Sequence, residues 1–135
     1  MKIIFVCTGN TCRSPLAESY AKTKFPDVEF ASRGLMVIAG ETNRFTLDII
    51  ERESLVPPSS PEQLRTGDTE DALLLTMTEE HKMAIQQRFP GADVKMISEF
   101  SDGSEVPILD PYGGSAKEYE LVYNQLKSYI DKFGL

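Results

Sequence analysis

The sequence is poor in the residues that build metal sites and disulfide frameworks. It contains two cysteines, one histidine and no tryptophan. Structural zinc sites take four ligands, whereas the thiols and imidazole here are only Cys7, Cys12 and His81. Both cysteines lie in one predicted loop, which is a poor place for a stapling disulfide. We therefore expect no metal, no cofactor and a reducing, cytoplasmic location.

Basic residues are scarce as well. The chain has 14 Lys and Arg against 21 Asp and Glu, a formal net charge of -7. Nucleic-acid and anionic-membrane surfaces need basic patches, so we expect neither partner. The apolar start, residues 1–6, runs directly into "CTGN" and is too short for a signal peptide or a membrane span. An anionic ligand would need a local site that overcomes the charge of the whole chain.

The elements that are present indicate one globular domain, residues 1–135, which we expect to be a monomer. Strands are predicted at residues 3–6, 28–34, 72–77 and 94–97, and helices at residues 14–25, 44–55, 78–89 and 117–133. Ser14 is expected to cap the first helix, and Leu121, Val122, Leu126 and Ile130 to form the apolar stripe of the last. The alternation predicts an α/β fold: a doubly wound, four-stranded parallel sheet flanked by helices, with the first strand central.

Ligands of such sheets bind beyond the carboxyl ends of the strands, where the loop "CTGNTCRS", residues 7–14, must lie. Gly9 and Asn10 tolerate the left-handed region, so successive N–H groups can turn inward and bind an anion. The positive end of the following helix points to the same place. Arg13 adds a planar fork that can bind two phosphate oxygens. The loop therefore predicts a site for a tetrahedral oxyanion.

Cys7 stands at the strand end beneath this predicted cradle, where the same donors would stabilise its thiolate as a nucleophile for phosphorus. The Ser14 hydroxyl can donate to that sulfur. A buried cysteine at a strand end is also commonly a small packing residue, so Cys7 alone decides nothing. The ATP-type phosphate loop is excluded, because it requires a lysine that this loop lacks.

A general acid is needed to protonate a poor leaving group, and "VPILDPYGG" offers Asp110. The stiff Asp-Pro turn would hold the carboxyl in an exposed position, although Asp before Pro is also an ordinary turn pair. Tyr112 would line the pocket wall or simply pack beside the loop. We expect His81 on the solvated surface of its helix, with no catalytic role.

The stretch "FVCTGNTCRSPLAE" together with "DPYGG" at 110–114 resembles the low-molecular-weight protein tyrosine phosphatase family, and the likeness extends over the whole chain in element order and length. The resemblance implies a phosphatase that acts on phosphorylated proteins through a phosphocysteine intermediate. It implies that Cys7 is the nucleophile, that Arg13 binds the phosphate and stabilises its transition state, and that Asp110 is the acid and then the base.

The same resemblance implies roles for the rest of the loop. Phosphate binding and loop support fall to Thr8, Gly9, Asn10, Thr11, Cys12 and Ser14, with Asn10 bracing the loop and Ser14 assisting the thiolate. Cys12 corresponds to a second loop cysteine that can form a reversible disulfide with the nucleophile. A packing role under the loop remains an equal alternative for Cys12.

Two positions bear on the substrate. Thr11 in the loop and Gly113 after Tyr112 depart from the usual tyrosine-phosphatase pattern and resemble the bacterial protein-arginine phosphatase branch. The substrate of that branch is phosphoarginine. Asp110 could orient its planar guanidinium while Tyr112 packs on the face of that group. The alternative is that Thr11 and Gly113 are neutral variants of a phosphotyrosine phosphatase. Residues 35–66 match the family least by motif and are expected to shape the pocket rim.

Two other functional classes share features with this sequence. Thioredoxin-coupled arsenate reductases share the fold and loop but relay a disulfide through further cysteines, and no cysteine follows Cys12 here. A module that only binds phosphoproteins would not need a nucleophile and an acid together. The sequence therefore favours a phosphatase that hydrolyses phosphoarginine in proteins.

Overall fold

A four-stranded parallel sheet forms the centre of the computed structural model, which describes residues 1–135. Its strands are β1 (Lys2–Cys7), β2 (Glu29–Gly34), β3 (Ala72–Thr76) and β4 (Asp93–Met96). They lie in the order β2-β1-β3-β4, and every neighbouring pair is parallel. The predicted α/β sheet with a central first strand is confirmed.

Helices cover both faces of the sheet, because its central strands are apolar on both sides. They are α1 (Arg13–Lys24), α2 (Arg44–Arg52), α3 (Glu79–Arg88), α4 (Ile97–Asp102) and α5 (Ala116–Ile130), and a short 3-10 helix spans Thr66–Thr69. Phe5 and Leu75 point into the larger core cluster, with residues of α1, α2 and α5. Val6 and Leu74 point into the smaller one, with Ile85 of α3. None of these helices combines the length and the hydrophobicity that a membrane-spanning segment requires.

The ends of two elements differ from the prediction. Helix α1 begins at Arg13 rather than after Ser14, because the Ser14 side chain bonds to Cys7 and Asn10 and does not cap the helix. Strand β4 ends at Met96, and Ile97 begins the unpredicted helix α4. That helix is held at its start by the Glu99 carboxylate, which accepts the Met96 N–H at 2.8 Å.

The apolar stripe of α5 is shifted from the predicted one. Leu121 is 50% exposed, so its predicted place in the core is wrong, whereas Val122, Leu126 and Ile130 are buried as expected. Tyr119 and Tyr123 complete the buried face. Positions 119, 122, 123, 126 and 130 follow helical spacing more closely than a stripe that includes 121.

Candidate active site

The loop between β1 and α1 surrounds the floor of a cavity of about 400 Å³. Cys7, the last residue of β1, is only 3% exposed, because it pairs with Gly34 of β2 and the loop curls over it. The cavity is lined by Cys7, Thr8, Gly9, Thr11, Cys12, Arg13, Met36, Ile38, Ala39, Asp110 and Tyr112. The structure thus brings most of the predicted site residues to one place, at the carboxyl edge of the sheet.

A buried hydrogen-bond network fixes the surroundings of the Cys7 sulfur. The Asn10 amide nitrogen donates to Ser14 Oγ at 2.8 Å, and Ser14 Oγ lies 2.9 Å from Cys7 Sγ. Since Ser14 accepts from Asn10, its single hydrogen is free to point at the sulfur. Ser14 is fully buried, so this donor is held in place when the thiol loses its proton.

Asn10 holds the loop against the neighbouring strand. Its φ of 56° lies in the left-handed region, which asparagine tolerates better than most residues. The amide also donates to Ser32 Oγ at 2.9 Å and accepts the Glu62 N–H at 2.9 Å. Ser32 in turn donates to the buried Glu18 carboxylate at 2.6 Å. The side chains of Asn10 and Ser14 therefore point away from the cavity and into the buried network.

Gly34 at the end of β2 is needed for this close packing. A Cβ atom there would lie 2.8 Å from the carbonyl oxygen of Thr8, 3.0 Å from Asn10 Cβ and 2.6 Å from Val37 Cγ2. These distances leave no room for a side chain. The end of β2 and the loop after β1 are thus in direct backbone contact.

Arg13 joins the loop to the opposite side of the cavity. Arg13 is 4% exposed, and its Nη1 donates to the Ile108 carbonyl at 3.1 Å. Nη2 lies 3.8 Å from Asp110 Oδ2. A buried arginine with one nitrogen tied to the backbone keeps its remaining N–H groups aimed in a fixed direction, which suits recognition of an oxyanion.

The segment that carries Asp110 is far more exposed than the loop. The Asp110 side chain is 61% exposed, and its Oδ1 accepts the Tyr112 N–H at 3.1 Å. Tyr112 is 81% exposed and stands on the cavity rim. Gly113 does not line the cavity, but its φ of 79° is one that glycine adopts without strain, so its effect on the pocket passes through the turn.

The β2–α2 connection supplies a wall that no motif indicated. Met36, Ile38 and Ala39 line the cavity, and Met36 and Ile38 are 64% and 88% exposed. They fall within residues 35–66, which position alone assigned to the rim. No stronger signal for this wall was present in the sequence, because exposed apolar residues in a connection without periodicity match no motif.

The predicted position of His81 is wrong. His81 is 8% exposed, and its Nε2 lies 3.0 Å from Thr8 Oγ1, so the imidazole packs beneath the loop. Because α3 begins three residues after β3 ends, its first turn, which contains His81, lies at the carboxyl edge of the sheet beside the loop. Burial, and next the charge of Arg13, lower the pKa of His81 to about 4.

Cys12 lines the cavity and also contacts α5. Its sulfur is 3.4 Å from the Tyr119 hydroxyl and 3.7 Å from Thr11 Oγ1. Burial and the neighbouring Cys12 raise the pKa of Tyr119 above its usual range. Cys7 and Cys12 are both free thiols, and the structure contains no group of three or more His, Cys, Asp or Glu side chains placed to hold a metal ion.

Comparison with known proteins identifies the family of this arrangement. The family model for low molecular weight phosphotyrosine protein phosphatases matches residues 2–134. The low molecular weight protein-tyrosine-phosphatase PtpB of Staphylococcus epidermidis is 40% identical over 134 residues, which are 98% of this chain and 96% of that protein. The YwlE arginine phosphatase of Geobacillus stearothermophilus superposes with a TM-score of 0.92 at 33% identity, over 97% of this chain and 88% of that one.

A further solved structure is a Cys-to-Ser mutant of YwlE arginine phosphatase with a phosphorylated active-site serine. It superposes with a TM-score of 0.91 at 30% identity, over 98% of this chain and 92% of that one. The family model spans nearly the whole chain, and the cysteine, arginine and carboxylate of the sequence motif meet at one cavity. The chain therefore belongs to the low molecular weight phosphotyrosine protein phosphatase family.

Proposed function

We propose that this protein is a cysteine-dependent phosphatase that hydrolyses phosphoarginine in proteins through a phosphocysteine intermediate, as a cytoplasmic monomer without a cofactor. The observation that carries the choice of substrate is Thr11, a residue with a hydroxyl, in the wall of the cavity above Cys7. The mechanism rests on the buried sulfur with its Ser14 donor and on the pairing of Arg13 with Asp110.

In the first step, the substrate phosphate takes over the Arg13 guanidinium and so releases Asp110 from its ion pair. The Cys7 thiolate attacks phosphorus, the sulfur–phosphorus bond forms and the phosphorus–nitrogen bond breaks. Asp110, in its acid form, gives a proton to the departing guanidine nitrogen. Arg13 and the inward N–H groups of the loop stabilise the equatorial oxygens as charge spreads over them.

In the second step, the Asp110 carboxylate takes a proton from water, and the resulting hydroxide attacks phosphorus. The sulfur–phosphorus bond breaks, inorganic phosphate leaves and the thiolate returns. The Ser14 hydroxyl, 2.9 Å from Cys7 Sγ, donates to the sulfur as it regains its negative charge. The phosphorylated active-site serine in the YwlE mutant supports a covalent intermediate at the corresponding position.

Phosphoarginine suits this cavity for two reasons. A guanidinium offers several N–H groups, which Asp110 and the Thr11 hydroxyl can accept, whereas the phenyl ring of phosphotyrosine offers none. The exposed Tyr112 ring at the rim provides a flat surface on which a planar cation can stack. Structural relatives that are arginine phosphatases, at 33% and 30% identity, support the same substrate.

Phosphotyrosine is the second candidate, and a specific observation favours it. The 40% identical relative from Staphylococcus epidermidis is named a protein-tyrosine-phosphatase. Met36, Ile38 and Ala39 form an apolar wall that would also accept an aromatic ring. On this alternative, the Thr11 hydroxyl makes no contact with the substrate.

The test measures kcat/KM for a phosphoarginine peptide and for a phosphotyrosine peptide of the same sequence, with wild type and Thr11→Ile. We expect wild type to prefer phosphoarginine and Thr11→Ile to lose that preference, because isoleucine is also branched at Cβ but replaces the hydroxyl with a slightly larger apolar group. The matched control is Thr66→Ile, which makes the same change on an exposed residue of the 3-10 helix.

Each outcome decides between the candidates. A wild-type preference for phosphotyrosine would overturn the arginine assignment and leave the cysteine mechanism standing. Cys7→Ser must abolish turnover of both peptides, and equal inactivity of wild type and Cys7→Ser toward both would contradict an enzymatic role altogether.

A further inference from the structure

His81 is a buried titratable group that contacts the loop and that the mechanism above does not use. Its Nε2 lies 3.0 Å from Thr8 Oγ1, and its Nδ1 is buried without a hydrogen-bond partner. Thr8 itself is exposed and lines the cavity. The contact therefore links an interior imidazole to a hydroxyl at the surface of the phosphate site.

Two neutral forms of the imidazole fit this contact, and they differ in what they leave unpaired. With the proton on Nδ1, Thr8 donates to Nε2 and a buried N–H has no acceptor. With the proton on Nε2, the imidazole donates to Thr8 and only a lone pair on Nδ1 is unpaired. Orphaned buried N–H groups are the rarer of the two defects in folded proteins, which favours the second form.

The charged form is disfavoured by the same surroundings. It would place a second proton on the unpartnered Nδ1 and a positive charge near Arg13. Glu80 and Asp110 are the acidic groups whose charges act on the imidazole in the opposite direction, and burial outweighs both. Near neutral pH the ring is therefore uncharged.

We propose that His81 is a positioning residue, which donates from Nε2–H to Thr8 Oγ1 and thereby turns the Thr8 hydroxyl hydrogen toward the phosphate site. Thr8 then serves as a fixed donor to a phosphate oxygen, in addition to the N–H groups of the loop. The inference rests on the proposed phosphate-binding role of the loop, but it does not depend on whether the substrate is phosphoarginine or phosphotyrosine.

The first test reads the tautomer directly. His81 is the single histidine of the chain, so a long-range ¹H–¹⁵N spectrum of protein made without a histidine tag contains one imidazole. We expect a protonated, pyrrole-type Nε2 and an unprotonated, pyridine-type Nδ1 at neutral pH. A proton on Nδ1, or a charged ring at neutral pH, would overturn the proposal, and neither reading requires a variant to fold or a substrate to turn over.

The second test asks whether His81 acts through Thr8. Inorganic phosphate is titrated into wild type, His81→Phe, Thr8→Val and the double variant, and its dissociation constant is followed through the loop amide signals. We expect each single variant to weaken phosphate binding several-fold. The double variant should bind phosphate no more weakly than Thr8→Val, since both changes remove the same donor, the oriented Thr8 hydroxyl. His81→Gln, which can place an amide N–H near the position of Nε2, should recover most of the loss.

Independent effects would contradict the proposal. If His81→Phe weakens phosphate binding as much in the Thr8→Val background as in wild type, His81 supports the fold and not the Thr8 hydroxyl. Phosphate binding that is unchanged in Thr8→Val would also overturn it. Wild type that binds phosphate but does not turn over phosphoarginine would instead count against the proposed substrate.

Discussion

The two sides of the cavity are built in opposite ways. On the side of the proposed nucleophile, Cys7, Asn10 and Ser14 are almost completely buried and are joined by hydrogen bonds that continue into the core. On the acid side, Asp110 and Tyr112 are mostly exposed, and one local N–H bond joins them. The proposed nucleophile is thus held by the fold, whereas the proposed acid is held by its own turn and by its ion pair with Arg13.

This difference separates two tasks that one site must perform. Attack on phosphorus needs fixed geometry and is the same for every phosphorylated residue, which suits the buried side. The leaving group differs among substrates, so the groups that meet it benefit from an exposed segment that can adjust. We expect changes on the buried side to affect all substrates equally and changes on the exposed side to discriminate among them.

Asp110→Asn should give the largest effect. Removing the proton donor is expected to lower kcat on the order of 10²- to 10³-fold for a peptide with a poor leaving group, and much less for an aryl phosphate whose leaving group needs no proton. Steady-state kinetics on both substrates measure the difference. Asp27→Asn, an exposed carboxylate before β2, is the control. An equal loss for both substrates would place Asp110 among the phosphate-fixing groups.

Acidic pH should destabilise the folded protein through His81, which is buried beneath the loop. The pKa of His81 falls from 6.5 to about 4 on folding. Below pH about 6.5 the imidazole is therefore protonated in the unfolded chain while it stays neutral in the folded protein. Stability is therefore complete above that pH and declines as the pH falls toward 4, by up to about 3 kcal/mol. Denaturant unfolding between pH 7 and 4 measures this slope. His81→Gln should flatten it, and an unchanged slope would show that carboxylates cause the decline.

Asn10→Ala should destabilise the protein by about 2–3 kcal/mol, because it removes two buried hydrogen bonds and one partly buried one and strains a left-handed residue. Asn10→Gly loses the same bonds without the strain and should be about 1 kcal/mol less destabilising. Chemical denaturation separates the two contributions. Each variant should lower kcat/KM by the same factor for phosphoarginine and phosphotyrosine peptides. A loss for one peptide only would contradict the idea that the buried side serves all substrates equally.

Tyr112→Ala should give the smallest effect. The ring is 81% exposed, and stacking at an exposed position is worth about 0.5–1 kcal/mol, so KM should rise two- to fivefold at most while kcat holds. Tyr112→Phe should retain the wild-type KM, since it keeps the ring. A fall in kcat for Tyr112→Ala would mean instead that the ring helps to place Asp110.

The fold and the buried side could be predicted because their signals are local. A continuous apolar strand, a loop with Gly9, Asn10 and Arg13, and a helix behind it follow one another in the chain, so no long-range contact had to be known. The order of the strands then follows from chain connectivity, since few arrangements of a parallel sheet are compatible with alternating strands and helices. The left-handed φ of Asn10 was anticipated from its residue type alone.

The features that were not predicted depend on contacts between distant segments. His81 meets Thr8 across 73 positions, and the first turn of α3 has no apolar stripe to signal burial. Met36 and Ile38 become a cavity wall only because β2 ends beside the loop. Helix α4 has six residues and begins within a strand-like run, where periodicity is too short to read.

The contact at Gly34 has a consequence for judging distant relatives of this chain. Position 34 contributes no atom to the chemistry, yet any side chain there would collide with the backbone at Thr8 and with Asn10. A relative that retains the cysteine and the arginine but has lost this glycine would keep the visible motif with a displaced loop. Such proteins are the ones to assay first as pseudoenzymes, and the third residue to inspect stands 27 positions after the nucleophile, outside the motif.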